Sequence, residues 1–339
     1  MIGDPTRRRA EELADFWTPF LVRLFGEAGV FEAFGRGARA SEEVAGELQL
    51  DPDVLARSCR ALASRGIFRS RGDGQVELTE VGRRYLRDEP GNVAGVANFK
   101  PYEMHAWAEA MTTLRTGEPS FPVHFGMDFW DWLSAHPDAG AHFNDTMRRR
   151  VGSILDGALP LYPWPDGGTI VDVGGGNGLL LERVLASRPG VHAVLFDRPD
   201  VVVEAKGLEW DPSVRSKIRF EGGDFFGSVP EGGDLYVLAS VLHDWDDDAS
   251  TRILATVRDA MHADARLLLL ESILAPDDEP DLGKQIDLHM AVLFGARERT
   301  REEWTSLLSS SGFQITRTVP TPSLSWIEAR ADPDGPSFG

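Results

Sequence analysis

The fold is decided by the stretch from Thr169 to Asp197, which reads TIVDVGGGNGLLLERVLASRPGVHAVLFD. Its first five residues are a mostly β-branched run that stops at three glycines, as a buried strand ending in a turn does. Leucine and valine then recur at helical spacing from Leu179, until Pro189 and Gly190 end the helix before a second apolar run. The pattern predicts a β-α-β unit.

The glycines of this unit predict a place where backbone approaches a ligand closely, since glycine has no side chain to collide with it. Asp197 closes the second strand and can accept both hydroxyl protons of a ribose. A dinucleotide fingerprint would need a third glycine where Leu179 stands, so NAD is disfavoured. We expect a ligand with an adenosine-like ribose at Gly174 and Gly176; a purely structural turn is the alternative.

Composition limits the class of protein. A length of 339 residues predicts about two domains with a sizeable core. No apolar run could span a bilayer and the N-terminus lacks the apolar region of a signal peptide, so a cytoplasmic protein is expected. The single cysteine, Cys59, excludes an intramolecular disulfide and a thiolate zinc cluster. A net charge of −19 disfavours nucleic acid and anionic membranes as partners.

The N-terminal part has the element order of a winged helix. Residues 7–34 read as one helix, whose broad apolar stripe suits either a subunit interface or burial in its own domain. Two short helices between residues 41 and 65 precede a hairpin at about 67–78, and Thr79 opens a further helix. Winged helices often bind DNA. However, residues 1–90 hold 14 basic and 16 acidic residues, which favours packing against another subunit.

Residues 98–160 combine aromatic side chains with methionine and histidine on two or three predicted helices. The mixture suits a pocket for a flat, hydroxylated ring, although tryptophan and phenylalanine are more often core residues. Met147 and its neighbours Phe143 and Asn144 are the candidates of this segment for the pocket or the cofactor side.

Strands alternate with helices after Asp197, which predicts a mostly parallel sheet with its ligand at the C-terminal edge of the strands. Asp224 follows a strand at about 218–220. Its carboxylate can accept a hydrogen bond from the amine of adenine while Phe225 covers the ring face, although a simple turn would give the same sequence.

Three candidate catalytic residues follow strand ends on the same edge, namely His243, Glu271 and Glu298. An un-ionised phenol is a poor nucleophile at neutral pH until a neighbouring histidine removes its proton. A carboxylate on the other ring nitrogen, from Glu271 or Glu298, would fix the tautomer and stabilise the imidazolium. The acidic run from Asp244 to Asp248 could be taken for a metal site, but acids that open a helix are more simply caps, so no metal is expected.

Several ordered motifs resemble those of class I S-adenosylmethionine-dependent small-molecule O-methyltransferases, the plant-type and bacterial antibiotic-tailoring enzymes. The motifs are VDVGGGNG, FD, GGDFF, LHDWDDD, ESIL and RERT. The resemblance implies S-adenosyl-L-methionine as cofactor, S-adenosyl-L-homocysteine as product, and a set of cofactor-binding residues: Asp172, Gly174, Gly176, Asp197, Asp224, Phe225 and Phe226.

The resemblance also implies roles on the acceptor side. His243 would accept the proton, and Glu271 and Glu298 would orient it. The implied substrate-binding residues are Asp244, Asp287, Met290 and Phe294, beside Met147. Two positions depart from the family pattern: Ala239 stands where many relatives have lysine, and His289 where bacterial relatives often have asparagine.

We therefore expect an α/β fold: a Rossmann-like, mostly parallel sheet in a methyltransferase domain, joined to a mainly helical N-terminal winged-helix dimerisation domain. The predicted parts are residues 1–97 for dimerisation, 98–165 as helical linker and substrate pocket, 166–331 as S-adenosylmethionine-binding catalytic domain, and 332–339 as a mobile tail. The expected function is methyl transfer to a hydroxyl of an aromatic small molecule, a phenol or polyketide-like ring, by a homodimer in secondary metabolite biosynthesis. N-methylation, a non-methylating use of the cofactor, and a ligand-sensing winged-helix regulator are the alternatives.

Overall fold

The structure, a computed structural model, describes residues 4–93 and 99–333. The chain forms two compact units, residues 1–104 and 105–339. Most of the predicted mobile tail, residues 334–339, lies outside the described residues. Within the described ranges, no helix has both the length and the apolar character needed to cross a membrane.

In its described residues, the first unit is mainly helical and contains one two-stranded hairpin, formed by the antiparallel strands β1 and β2. The helices at residues 41–48 and 52–63 come directly before the hairpin and the helix at residues 80–83 follows it, in the order expected from the sequence. The elements are α1 (Pro5–Leu13), α2 (Trp17–Glu27), α3 (Val30–Gly35), α4 (Ser41–Leu48), α5 (Pro52–Ala63), β1 (Phe68–Ser70), β2 (Val76–Leu78) and α6 (Glu80–Arg83).

The prediction of one helix over residues 7–34 is wrong, because three helices, α1 to α3, occupy this stretch. Asp15 accounts for the first break. Its carboxylate accepts the backbone N–H groups of Trp17 at 3.0 Å and Thr18 at 3.3 Å, so a new helix begins there. Gly29 accounts for the second break, since its φ of 72° is left-handed.

The apolar residues of α1 and α2 divide into buried and exposed sets. Val22 and Phe25 are buried in the core of the first unit. Leu13, Phe16 and Trp17 are instead 71%, 63% and 72% exposed. Large apolar side chains exposed side by side are typical of a surface that another protein covers.

A helical segment follows, which begins at Pro101 and belongs to the second unit from residue 105 onwards. The prediction of two or three helices over residues 98–160 is wrong, because five lie within the described residues 99–160. The left-handed glycines Gly117 and Gly126 and the helix-opening Pro137 divide the segment. The helices are α7 (Pro101–Ala108), α8 (Met111–Thr116), α9 (Phe121–Phe125), α10 (Phe129–Ala135) and α11 (Pro137–Ala158), followed by a 3₁₀ turn (Leu159–Leu161).

The rest of the second unit alternates strands with helices. Its elements are β3 (Gly168–Val173), α12 (Leu179–Ser187), β4 (Val191–Asp197), α13 (Pro199–Lys206), α14 (Pro212–Arg215), β5 (Ile218–Gly222), β6 (Leu235–Ala239), a 3₁₀ turn (Leu242–Asp244), α15 (Asp247–Ala260), β7 (Arg266–Glu271), β8 (Ile273–Leu274), α16 (Leu282–Phe294), β9 (Arg299–Thr300), α17 (Arg301–Ser310), β10 (Phe313–Pro320) and β11 (Ser325–Ala331). The β-α-β unit predicted at residues 169–197 is confirmed as β3, α12 and β4.

A seven-stranded sheet in the order β10-β11-β7-β6-β3-β4-β5 forms the centre of this unit. The five strands from β7 to β5 are parallel, and β11 pairs antiparallel with both β7 and β10, which confirms the mostly parallel sheet. Neighbouring residues Ile170 and Val171 are both buried, in the cores on opposite faces of the sheet. The strand order reverses between β3 and β6, where α/β sheets of this type bind their ligands.

Candidate active site

The turn after β3 brings bare backbone to the strand-reversal point. Gly174 has a φ of 72°, and a Cβ atom there would lie 2.9 Å from a methyl carbon of Val241. A Cβ atom on Gly175 would lie 2.8 Å from the carboxylate of Asp172. Both the backbone conformation and the lack of space favour glycine at Gly174, whereas a side chain at Gly175 would displace the Asp172 carboxylate. Gly176 donates its N–H to Asp197 Oδ2 at 2.8 Å, which joins the turn to the end of β4.

Two acidic residues flank this turn. Asp172 is 2% exposed, and among the described residues its Oδ2 atom has no hydrogen-bond partner. Burial, and then the charge of Asp197, raise the pKa of Asp172 to about 7. Asp197 accepts the N–H of Arg198 at 2.7 Å, and burial raises its pKa. A buried carboxylate without a partner fits a ligand that carries a positive charge.

Aromatic rings lie beside the same turn. Phe225 approaches Gly174, and its ring makes edge-to-face contacts with Phe226 and Trp245 at centroid distances of 5.0 and 5.9 Å. Asp224 Oδ1 accepts the N–H of Phe226 at 2.9 Å, as in the simple turn considered above. The Asp224 side chain is exposed, so its other oxygen faces solvent or a ligand.

The second loop at the reversal point follows β6 and carries His243. Ser240 has a φ of 55°, an uncommon conformation for serine that turns the chain sharply at the strand end. Glu271, the last residue of β7, then accepts the backbone N–H groups of Val241 at 3.0 Å and Leu242 at 2.9 Å. Glu271 thus holds the backbone leading to His243 rather than its ring.

The imidazole of His243 lies between two carboxylates. Its Nδ1 atom is 3.0 Å from Glu298 Oε1, and its Nε2 atom is 3.6 Å from Asp244 Oδ1. Burial lowers the pKa of His243, but the negative charges of Asp244, Glu298 and Glu271 outweigh this effect and raise the pKa to about 10. Burial raises the pKa of Glu271 to about 7.

The prediction that Glu298 follows a strand end is wrong, because Glu298 lies between α16 and β9, where its neighbours hold it in place. Its backbone N–H donates to Asp287 Oδ1 on α16 at 2.8 Å, so Asp287 supports Glu298 directly. The next residue, Arg299, is fully buried and donates to the carbonyl oxygens of Leu242 and Trp245, both at 3.0 Å. Sequence reasoning missed Arg299, although an arginine inside the RERT motif beside a proposed catalytic glutamate was a usable signal.

Aromatic residues from α10, α11 and α16 form one cluster, which we call the aromatic wall: Phe129, Trp130, Phe143 and Phe294. The rings of Trp130 and Phe294 stack at a centroid distance of 5.5 Å and an angle of 20°. Phe129 and Trp130 both contact Phe143 edge to face. Met290 is buried, Met147 is half-buried, and the side chain of Asn144 lies outside the described residues.

His289 also lies on α16 and has a defined tautomer. Trp107 Nε1 donates to His289 Nδ1 at 2.9 Å, so a neutral His289 carries its proton on Nε2. Burial and the charge of Arg150 lower the pKa of His289, which favours this neutral form.

Two family models match the chain. One, described as an O-methyltransferase domain, covers residues 107–314, and the other, described as an O-methyltransferase dimerisation domain, covers residues 11–88. The chain belongs to the O-methyltransferase family. It is therefore an S-adenosylmethionine-dependent O-methyltransferase, and the regulator alternative is set aside.

Individual relatives agree with this assignment. O-demethylpuromycin-O-methyltransferase from Streptomyces alboniger is 41% identical over 88% of this O-methyltransferase and 82% of its own length. Phenazine O-methyltransferase PhzM from Lysobacter antibioticus is 33% identical over 94% of each chain. Other relatives, at 29% and 30% identity, are named as N-methyltransferases.

A solved structure shows the same fold with ligands bound. NcsB1, an O-methyltransferase from neocarzinostatin biosynthesis, was solved with S-adenosylmethionine and 2-hydroxy-5-methyl naphthoic acid. It superposes with a TM-score of 0.82 at 29% identity and covers 94% of this O-methyltransferase and 98% of its own chain. The cofactor of this O-methyltransferase is S-adenosylmethionine. The glycine turn and the unpartnered carboxylate of Asp172 fit this cofactor, which carries an ammonium group and a sulfonium.

Proposed function

We propose that the enzyme methylates a hydroxyl group of an aromatic small molecule in secondary metabolism, with His243 as the general base. The observation that carries the proposal is the contact between His243 Nδ1 and Glu298 Oε1 at 3.0 Å. When the imidazole is neutral, the Nδ1 proton is donated to Glu298, and Nε2 is left as the proton acceptor. The acceptor hydroxyl transfers its proton to Nε2 as its oxygen attacks the methyl carbon.

The carboxylates around His243 suit the state that follows proton transfer. Glu298 and Asp244 stabilise the imidazolium, while Glu271 keeps the backbone of the turn fixed. Because these charges raise the pKa of His243 to about 10, the ring must lose its own proton before it can act as a base. A cation bound nearby lowers the pKa of a histidine, so the positively charged cofactor favours the neutral base.

S-adenosylmethionine, when bound, supplies a methyl group that its sulfonium already activates for transfer. We assign Asp172 to its ammonium group, because a buried unpartnered carboxylate binds a cation well. Asp197 would hold the ribose hydroxyls, with Gly174 and Gly176 leaving room for the ligand. Asp224, Phe225 and Phe226 would hold the adenine, through its amine and its ring face. These side chains would align the reactants, so their contribution to catalysis is one of proximity and orientation.

The aromatic wall supports an aromatic acceptor. Stacked and edge-to-face rings form flat apolar surfaces, which bind planar ligands. We assign Met147, Met290 and Phe294 to this pocket, and Asp244 to the side nearest the reacting hydroxyl. Asp287 would act through Glu298, whose backbone it holds. The relatives named for puromycin and phenazine methylation support a place in secondary metabolite biosynthesis.

The first test is methyl transfer from labelled S-adenosylmethionine to a panel of mono- and polycyclic phenols. We expect the wild-type enzyme to label at least one phenol and His243→Ala to lose on the order of a hundredfold in kcat. Arg297→Met, which changes an ion-pairing residue near the same loop, is the control and should stay within about threefold. Equal rates for wild type and His243→Ala would refute the role of His243 as the base.

N-methylation is the second candidate, because some relatives are named as N-methyltransferases. Aryl amines are therefore included in the same panel. Faster labelling of an amine than of the matching phenol, unaffected by His243→Ala, would favour this reaction, since a neutral amine already has a nucleophilic lone pair.

We further propose that the enzyme is a homodimer formed through its N-terminal unit. The dimerisation family model covers residues 11–88, and the exposed apolar side chains Leu13, Phe16 and Trp17 lie at the start of this range. A second copy of the chain that covers them would remove a large apolar surface from water.

A further inference from the structure

Arg299 is buried beside the site although it has no place in the proton transfer. Its guanidinium is 0% exposed and lies over the ring of Trp304, 5.1 Å from the ring centroid. It also makes an ion pair with Asp247, with Nε at 2.9 Å from Oδ1. A buried guanidinium is costly unless its donors are satisfied, so the positions of its partners show what it holds in place.

The partners of Arg299 are the two ends of the turn that carries His243. Nη1 donates to the carbonyl oxygen of Leu242 at 3.0 Å, and Nη2 donates to that of Trp245 at 3.0 Å. His243 and Asp244 are the two residues between these carbonyls. Because a guanidinium is planar and rigid, it fixes the distance between the two ends of the turn.

The backbone of Arg299 is anchored as well. Arg299 pairs with Ile273 in the small parallel sheet of β8 and β9, and β8 begins two residues after Glu271. The preceding residue, Glu298, carries the carboxylate that contacts the His243 ring. Two adjacent residues therefore fix His243: Glu298 contacts the imidazole ring, and Arg299 holds the backbone on either side of it.

We propose that Arg299 is a positioning residue for methyl transfer: it holds both ends of the His243 turn and so keeps the imidazole against Glu298. This inference rests on His243 acting as the base. An alternative role is purely structural, since Arg299 also ties the turn to the start of α15 through Asp247 and Ser250. The two roles differ in whether the loss of activity depends on His243.

The variants are Arg299→Met, which removes all the donors, and Arg299→Lys, which keeps the charge but cannot reach both carbonyls as a fork. Arg297→Met is the matched control. The guanidinium of Arg297 makes an ion pair with the same Asp247 at 3.2 Å, and its other ion-pair partner is Glu303. Each is measured for kcat and KM on the phenol that wild type methylates fastest, and for its melting temperature.

We expect kcat of Arg299→Met to fall on the order of ten- to hundredfold with KM for S-adenosylmethionine within about threefold, and Arg299→Lys to lie between it and wild type. The charge and hydrogen bond of Glu298 raise the pKa of His243. Arg299→Met loosens this contact, so the acid limb of its pH profile for kcat should lie at lower pH than that of wild type. The same shift should appear in the ligand-free protein, when the histidine ring signals are titrated by NMR and His243→Ala identifies the signal.

The decisive comparison uses the His243→Ala background. There, adding Arg299→Met should lower kcat by less than about threefold. An equal loss of kcat in the wild-type and His243→Ala backgrounds overturns the proposal. A folded Arg299→Met protein with the wild-type kcat and an unshifted titration of His243 overturns it as well. If Arg299→Met does not fold, Arg299→Lys is judged by the same criteria. Failure of the base itself is recognised separately, since His243→Ala alone would then match wild type, and both proposals fall.

Discussion

The carboxylate of Asp172 should destabilise the ligand-free protein and strengthen S-adenosylmethionine binding. Asp172→Asn allows the two effects to be measured separately. The carboxyl is 2% exposed, and its pKa rises to about 7 from an ordinary value of 3.8. Between pH 4 and pH 7 the Asp172 carboxyl is protonated in the folded chain but ionised in the unfolded chain. The free energy of unfolding therefore falls by about 1.4 kcal/mol per pH unit across this range as pH rises.

The expected effect of Asp172→Asn follows from this difference. Asparagine has the shape of the protonated acid, so the variant and wild type should be about equally stable at pH 4. At pH 8 the variant should be more stable by up to about 4 kcal/mol, because wild type must bury an ionised carboxylate. The nearby charge of Asp197 causes part of the pKa shift, so the effect depends on that residue also being ionised.

The assay is thermal and urea unfolding of the ligand-free protein at pH 4, 6 and 8. Asp259→Asn, the same change at an exposed carboxylate on α15, is the control and should show no pH-dependent difference from wild type. Calorimetry should show that Asp172→Asn weakens S-adenosylmethionine binding on the order of ten- to a hundredfold, because a charged hydrogen bond is lost. An Asp172→Asn protein that is less stable than wild type at pH 8 would refute the reasoning.

Three further predictions concern the rest of the enzyme. Because carboxylates raise the pKa of His243, kcat/KM for a phenol should increase with pH above neutrality. In a pH-rate profile of Glu298→Gln, this rising limb should lie at lower pH than in wild type. Gly174→Ala should raise the Kd for S-adenosylmethionine at least tenfold in calorimetry, whereas Gly232→Ala, equally left-handed but with open space around it, should not. Trp17→Glu should convert the dimer to a monomer in light scattering at micromolar concentration; an unchanged mass would contradict the proposed interface.

The part of the fold that could be predicted is the part determined by local sequence. The unit at residues 169–197 carries its strand, glycine turn and helix signals in order, and the structure confirms it. The helix predicted over residues 7–34 failed because hydrophobic periodicity continues across Asp15, whose carboxylate caps α2. Periodicity does not register a cap that a neighbouring side chain supplies.

The candidate site was predictable in its residue types but less so in its contacts. Parallel strands bring their ends to one edge, which places His243 after β6 and Glu271 at the end of β7. Glu298 follows α16 instead of a strand, so this rule does not account for its contact with His243. Which glutamate would contact the ring was open, because it depends on the path of the chain after β6. The left-handed Ser240 turns that path so that Glu271 meets backbone N–H groups instead.

The hydrogen bond between Asp287 and the backbone of Glu298 has a consequence for redesigning the enzyme. The helix α16 carries Met290 and Phe294, which line the proposed pocket, and the same helix holds the partner of His243. A substitution on α16 that shifts the helix to admit a different ring will therefore disturb turnover as well as selectivity. Trp130 and Phe143, which contact each other across α10 and α11, are better first positions for a library of altered acceptor preference.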